Sequence, residues 1–203
     1  MFTTNPFFVL TESMSPIFMQ LFVILMIVLI VVGTVMDIIH KKNVKYFFDN
    51  AKKAKKNATK VLSTSERIKV LSKTVVSDIA TTSELGAGKR RAAHVMGMYG
   101  TILFWISTVV MVFMYTNPSS STPNIWPILW HAGAFLTVVG GCWFWFFLRV
   151  DVYSEAHPWY RIIKADLFVL ALVSSSFFGL AWSFLQSANL QGRGDDKVFL
   201  VFF

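Results

Sequence analysis

The stretch PIFMQLFVILMIVLIVVGTVMDIIH, residues 16–40, decides the fold, because all of it is apolar or uncharged except Asp37 and the terminal histidine. A helix needs about 20 predominantly apolar residues to cross the hydrocarbon core of a bilayer. Three further stretches meet this requirement, at residues 93–115, 125–148 and 162–186. Backbone polar groups must be hydrogen-bonded internally in lipid, so each span should be helical. The sequence predicts an all-α, polytopic membrane protein, a bundle of four transmembrane helices forming one domain over residues 1–203.

The overall composition supports a membrane location and removes several classes of redox protein. Of the 203 residues 55% are hydrophobic and 20 are phenylalanine, which is too apolar for an ordinary soluble domain of this length. The one cysteine, Cys142, lies inside the third predicted span. A single thiol cannot form an intramolecular disulfide, an iron–sulfur centre or a cysteine-rich zinc site.

The positive charge of the chain is concentrated in the connection between the first two spans. Residues 41–92 carry 14 of the 19 lysines and arginines, whereas residues 1–15 and 116–124 carry none. Lysine and arginine beside membrane helices favour the cytoplasmic side. A multi-pass protein of the cell membrane is therefore predicted, with loop 41–92 cytoplasmic and both termini outside.

The positive charge of this loop also indicates its binding partners. It attracts anionic lipid head groups. Nucleic-acid binding is disfavoured, because the lysines of residues 52–56 lack the interleaved aromatic side chains that stack on bases.

The basic loop itself has two parts. Residues 41–60 combine lysines with aromatic side chains and are predicted to lie at the membrane interface. Ser63 and Glu66 then have the spacing of a capping box, and apolar residues recur at helical intervals. A short amphipathic helix is expected over residues 66–85, ended by Gly86 and Gly88. Its apolar face could rest on lipid or on a soluble partner subunit, and the sequence does not decide between them.

The histidines suggest a cofactor near the cytoplasmic side. A b-type haem needs two axial ligands at one depth, usually neutral imidazoles from different elements. His94 with His157 or His40 satisfies this condition, because all three lie at cytoplasmic ends of predicted spans. Arginine pairs well with carboxylates, so nearby arginines are candidates for the haem propionates. These arginines are Arg90, Arg91 and Arg161.

His131 is placed differently, at about 9 Å from the outer end of the third span by the helical rise of about 1.5 Å per residue. An ionisable residue inside a membrane is a functional candidate by default. No second histidine shares its depth, so a haem there would need a methionine ligand or another subunit. The methionines concerned are Met19, Met111 and Met114, and each of them could equally be a packing residue.

One region of the sequence resembles a known family. A basic loop helix at residues 66–79 is followed by KRRAAHVMGMYGTILFWIST at residues 89–108, and PWYR at residues 158–161 leads to the fourth span. This pattern resembles the gamma subunit of respiratory nitrate reductases and the related b-cytochromes of sulfite- and heterodisulfide-reductase complexes. The resemblance covers roughly residues 66–186. It implies haem b, with His94 as a ligand of the haem iron, and electron exchange with quinone.

Two functions remain open from the sequence. The first is a membrane anchor subunit of a respiratory-type oxidoreductase complex, a b-type cytochrome that passes electrons between quinone and a partner subunit. The alternative is a haem-free accessory subunit of a larger membrane-bound enzyme, such as a metal-dependent monooxygenase, which the four spans and the scarcity of internal charges fit equally well. No nucleophile–base pair or metal triad is visible in the sequence, so catalysis is expected in another subunit. A transporter is disfavoured because the chain shows no inverted repeat.

Overall fold

The computed structural model describes residues 2–40, 43–57, 63–86, 88–116, 121–149, 160–164 and 166–189, and these residues are helical without strands. The helices are α1 (Phe8–Ser13), α2 (Pro16–His40), α3 (Asn43–Lys56), α4 (Thr64–Thr74), α5 (Lys89–Met114), α6 (Ile125–Trp143) and α7 (Asp166–Asn189). Short π-helical segments, Val75–Ala80 and Phe144–Leu148, continue α4 and α6. Four helices are long and apolar enough to cross a membrane, namely α2, α5, α6 with its π segment, and α7. The predicted fold class, an all-α multi-pass membrane protein, is confirmed.

Two of the predicted spans start four residues away from the start of the corresponding helix. α5 begins at Lys89, four residues before the predicted span, because lysine and arginine reduce hydropathy but are good helix formers. α7 begins at Asp166, four residues after the predicted start. The backbone N–H of Ile163 donates to the Asp166 carboxylate over 2.9 Å, the reach-back bond of a capping box, so this aspartate ties the preceding turn to the start of α7.

The chain folds into two compact units, and the second comprises Ile17–Ala80. Most of the large apolar side chains of α2 are exposed, and they point to all sides of the helix. α3 places Val44, Phe47 and Phe48 on one side and most of its lysines on the other, and the three apolar residues are exposed. Such a helix is typical of a segment that lies in the membrane interface.

The helix predicted over residues 66–85 is shorter than expected. The capping box is present: the Ser63 N–H donates to Glu66 Oε2 over 2.8 Å and the Glu66 N–H donates to Ser63 Oγ over 3.3 Å. The regular α-helix ends at Thr74 and continues as the π segment Val75–Ala80. β-Branched residues at this point lower helix propensity, and hydrophobic periodicity cannot distinguish α from π winding.

The first unit comprises Met1–Pro16 and Thr81–Phe203, and in it α5 and α6 run antiparallel in very close contact. A Cβ atom added to Gly133 would lie 2.5 Å from the backbone nitrogen of Phe104, and one added to Gly140 would lie 2.7 Å from that of Gly97. A Cβ on Gly100 would similarly lie 2.6 Å from the nitrogen of Thr137. Small residues of this kind allow the two backbones to approach in lipid. Helix–helix contact is therefore the role of these three glycines.

α7 packs against the other side of α6, also antiparallel. The side chain of Val173 lies beside Gly141 near one end, and Ser183 meets His131 near the other. Ser176, Ser183 and Gln186 are all buried on α7, at spacings of seven and three residues that place them on one helix face. α7 thus presents three buried polar side chains on one face, and one of them, Ser183, bonds to α6.

Candidate functional site

His94 lies in the second turn of α5 with its side chain exposed. Within the described part of the chain its imidazole makes no hydrogen bond or ion pair. Arg90 precedes it by four residues, so the two side chains lie on the same helix face. Arg90 is also exposed, whereas the half-buried Arg91 donates its Nε–H to the carbonyl oxygen of Thr81 over 2.8 Å. His94 and Arg90 are thus sequence-predicted cofactor residues of this helix that remain available to an external group.

The sequence predicted His157 or His40 as the partner of His94, and His131 as a separate candidate ligand. His40 is the exposed last residue of α2 and belongs to the second unit. His157 lies outside the described residues. His131 is in the same unit as His94, but its neighbour Trp130 bonds to Thr108, 14 residues further along α5. At about 1.5 Å per residue this places the two histidines roughly 20 Å apart along the helix axis.

His131 is buried, with 2% of its surface exposed, and both ring nitrogens are hydrogen-bonded. Nδ1 lies 2.7 Å from the carbonyl oxygen of Pro127, one turn earlier in α6. Nε2 lies 2.7 Å from Oγ of Ser183 on α7. A carbonyl oxygen can only accept, so Nδ1 carries the proton and donates it. Ser183 is the hydrogen-bond partner of Nε2. Iron ligation through this nitrogen would therefore require Ser183 to move away, and none of the three candidate methionines is bonded to it.

Two further buried polar side chains share the face of α7 that carries Ser183. The amide nitrogen of Gln186, one turn beyond Ser183, is buried and has no hydrogen-bond partner among the described residues. The hydroxyl of Ser176, two turns before Ser183, is in the same situation. Unsatisfied polar groups are costly in a protein interior, and more so where lipid surrounds it. This face of α7 therefore has hydrogen-bonding groups that the described residues leave unused.

The N-terminal segment covers this end of the unit. Asn5 is 1% exposed and donates its side-chain amide to the Tyr115 carbonyl over 3.3 Å and to Thr122 Oγ1 over 3.2 Å. Ahead of this anchor, the ring of Phe2 makes an edge contact with His131, with ring centres 5.3 Å apart. Phe2 is itself 59% exposed. The segment is thus firmly held at Asn5 and loosely held where it meets the histidine.

At the opposite end of α6 a buried ion pair joins Arg149 to Asp166, the first residue of α7. The guanidinium Nε donates to Asp166 Oδ1 over 3.1 Å, and NH2 bonds both Oδ2 and the carbonyl of Arg161. The side chains are 8% and 11% exposed. The guanidinium carbon also lies 4.3 Å from the ring centre of Trp145. This bidentate, stacked arrangement suits arginine rather than lysine.

Sequence reasoning missed both side-chain pairs that join α6 to α7. Ser183 is 52 residues from His131, and a lone serine in an apolar helix carries no catalytic signature. The seven-residue spacing of Ser176 and Ser183 on one face was the available signal. Asp166 and Arg149 are 17 residues apart, and nothing in the sequence pattern around either residue indicates that they pair.

The described residues contain no group of three or more histidine, cysteine, aspartate or glutamate side chains that could hold a metal ion. A haem requires only one or two axial ligands, so this observation bears on metal clusters and not on haem. In comparisons with known proteins, no family model, no curated protein and no solved structure matches the chain.

Proposed function

We propose that this chain is a b-type cytochrome subunit that anchors a membrane oxidoreductase complex and exchanges electrons between quinone and a partner subunit. The observation that carries the proposal is the contrast between two histidines of the first unit. His131 is enclosed and hydrogen-bonded at both nitrogens, whereas His94 is exposed and uncommitted in the described structure. The uncommitted histidine is the one on which the resemblance to b-cytochromes of reductase complexes depends.

The residues around His94 fit one side of a haem site. A neutral imidazole supplies one axial ligand, and the exposed guanidinium of Arg90 is within one helical turn to pair with a propionate. A bound haem would supply one-electron transfer. The second axial ligand comes in this proposal from His157 or from a histidine of another subunit, since the group that the chain resembles usually has more than four spans.

The orientation that goes with this function follows from charge. The basic helix α3 and the basic start of α5 flank membrane-spanning helices, and such residues favour the cytoplasmic side. His94 then lies at the cytoplasmic surface, where a soluble redox partner can dock on the loop of residues 41–92. Quinone is the electron donor or acceptor within the membrane.

The test is the visible spectrum of the full-length protein purified from membranes of cells supplied with haem. The wild type should show Soret and alpha bands of a b-type cytochrome that change on reduction with dithionite. His94→Ala should lose these bands. His131→Gln is the matched control, since it also removes an imidazole from the same unit, and it should keep them. A wild type without haem, or a His94→Ala variant with an unchanged spectrum, would refute the proposal.

A haem-free accessory subunit of a larger membrane enzyme is the second candidate. The observation that favours it is again His131. Both of its ring nitrogens are hydrogen-bonded, to Pro127 and Ser183, so this buried histidine needs no prosthetic group as a partner. The apolar surface of α2 could then cover a neighbouring subunit rather than lipid alone. This function predicts stoichiometric co-purification with other subunits and no haem bands, so the same preparation distinguishes the two candidates.

A further inference from the structure

The hydrogen bond between Ser183 and His131 has a defined direction. Since the Pro127 carbonyl fixes the proton on Nδ1, Nε2 of the neutral ring presents its lone pair to Ser183. The serine hydroxyl therefore donates, over 2.7 Å, to a base that a third group holds in place. A nucleophile within reach of an oriented base is the geometry used for nucleophilic catalysis by serine.

A candidate donor for developing negative charge lies one turn beyond Ser183 on α7. Gln186 follows Ser183 by three residues on the same face of α7, and its buried amide nitrogen has no partner among the described residues. Side-chain amides can stabilise the oxyanion of an acyl-transfer intermediate, and they do so best away from water. Two independent features, the oriented pair and the unpartnered donor, thus coincide within one turn of α7.

We propose that Ser183, His131 and Gln186 form an acyl-transfer site for lipid esters, with Ser183 as nucleophile, His131 as general base and Gln186 as oxyanion donor. Ser183 Oγ attacks the ester carbonyl carbon while its proton passes to His131 Nε2. The carbon–oxygen bond to the alcohol then breaks, and that alcohol leaves with the proton from His131. Water, activated by the same histidine, releases the acyl group as a carboxylic acid and restores the serine.

The surroundings determine the class of substrate. Ile128 and Phe135 flank His131 on α6, and Phe184 follows Ser183 on α7, and all three are exposed to the extent of 44% to 61%. A substrate that reaches the pair from the side of the unit must therefore cross an apolar surface within the membrane. An ester with a long acyl chain, dissolved in the bilayer, fits this surface, whereas a charged water-soluble ester does not.

The N-terminal segment controls access to the site. In the closed arrangement His131 and Ser183 are 2% and 3% exposed, and the ring of Phe2 lies against the histidine. Because Phe2 is largely exposed and precedes the anchor at Asn5, it can swing away without breaking the hydrogen bonds of Asn5. Phe2 is thus a lid residue, and its removal should accelerate reaction at Ser183.

The test uses an alkyl fluorophosphonate probe on the full-length protein in lipid nanodiscs, with the adduct located by mass spectrometry. Wild type should be labelled on Ser183, and Phe2→Ala should be labelled faster. His131→Gln should lower the labelling rate by about 100-fold or more, the usual contribution of a general base. Ser176→Ala is the matched control, because it removes another buried α7 hydroxyl and should leave labelling unchanged.

A second readout is hydrolysis of a p-nitrophenyl ester of a medium-chain acid, which Ser183→Ala should abolish and Ser176→Ala should preserve. Adduct location in the wild type needs no variant, so misfolding of Ser183→Ala cannot obscure the result. Absence of an adduct from both wild type and Phe2→Ala, or an adduct on a residue other than Ser183, would overturn the proposal. Neither readout involves haem, so the outcome is independent of the proposed cytochrome function.

Discussion

α6 meets α5 on one side and α7 on the other, and the two contacts are built differently. Against α5 the contact depends on Gly100, Gly133 and Gly140, where the backbones nearly touch. Against α7 it depends on two side-chain pairs, Arg149–Asp166 and His131–Ser183, placed towards opposite ends. Lipid provides no hydrophobic force between helices, so association relies on close packing and on hydrogen bonds. In this unit three glycines bring the α5 and α6 backbones together, with the Trp130–Thr108 hydrogen bond beside them, whereas the α7 side of α6 carries the two buried side-chain pairs.

The difference shows where chemistry can reside in a small membrane unit. A glycine contact leaves no room for a ligand and presents few functional groups. The α6–α7 contact holds the buried ionisable groups and the unpartnered amide of Gln186. Polar groups in a membrane are expensive and are commonly functional. The contact with α7 is therefore the one to test for activity, and the contact with α5 is the rigid support beside it.

The largest effect is expected from breaking the ion pair at the start of α7. Arg149→Met leaves the Asp166 carboxylate buried without its bidentate partner and also removes the bond to the Arg161 carbonyl. Removing one member of a buried ion pair typically costs about 3–5 kcal/mol. We expect a loss of that size in the free energy of unfolding, measured by titration with denaturing detergent in mixed micelles.

Two variants control this prediction. Arg161→Met removes an exposed arginine close to the same site and should change the free energy of unfolding by less than about 0.5 kcal/mol. The double variant Arg149→Met with Asp166→Leu removes both charges and should recover part of the loss, because no unpaired charge remains. If Arg149→Met were no more harmful than Arg161→Met, the ion pair would not stabilise the α6–α7 contact.

A smaller effect is expected from the glycine contact. Gly133→Ala places a methyl group 2.5 Å from the Phe104 backbone nitrogen, so α5 and α6 must separate. Overpacking of this kind costs about 1–3 kcal/mol. Gly97→Ala is the matched control: its added Cβ meets nothing within 4 Å. Since alanine has the higher helix propensity, it should be neutral or stabilising by up to about 1 kcal/mol. The same unfolding titration measures both, and equal effects would contradict the close-packing explanation.

The sequence was sufficient for the membrane spans, because hydropathy over 20 residues is a strong signal and a lipid environment leaves the backbone few alternatives. It located Pro16–His40 and Ile125–Leu148 correctly. It also predicted the capping box at Ser63 and Glu66, since capping depends on residues only three apart. The start of α5 at Lys89 and the π segment after Thr74 were missed, because hydropathy and periodicity do not report winding or charged helix ends.

The candidate sites were less predictable for a physical reason. Residues that meet across α6 and α7 are 17 and 52 positions apart, so their pairing depends on the rotation of each helix about its axis. The sequence identified His131 as a deep histidine but not Ser183 as its partner. His94 and Arg90 were identified from charge and resemblance, and the structure leaves both exposed. Haem binding at His94 remains a prediction.

The smallest effect compares single hydrogen bonds across the two contacts of α6. Trp130 Nε1 donates to Thr108 Oγ1 of α5 over 3.0 Å, and Ser183 of α7 donates to His131 over 2.7 Å. Each can be measured by a double-mutant cycle, with Trp130→Phe and Thr108→Val for the first and His131→Leu and Ser183→Ala for the second. The cycle cancels the separate loss of the Pro127 bond in His131→Leu.

Hydrogen bonds between membrane helices average about 0.6 kcal/mol and reach about 1.7 kcal/mol. The shorter, more deeply buried His131–Ser183 bond should lie in the upper part of that range and exceed the Trp130–Thr108 coupling. A larger coupling for Trp130 and Thr108 would mean that α6 makes its stronger polar contact with α5. It would then contradict our placing of the functional polar contact between α6 and α7.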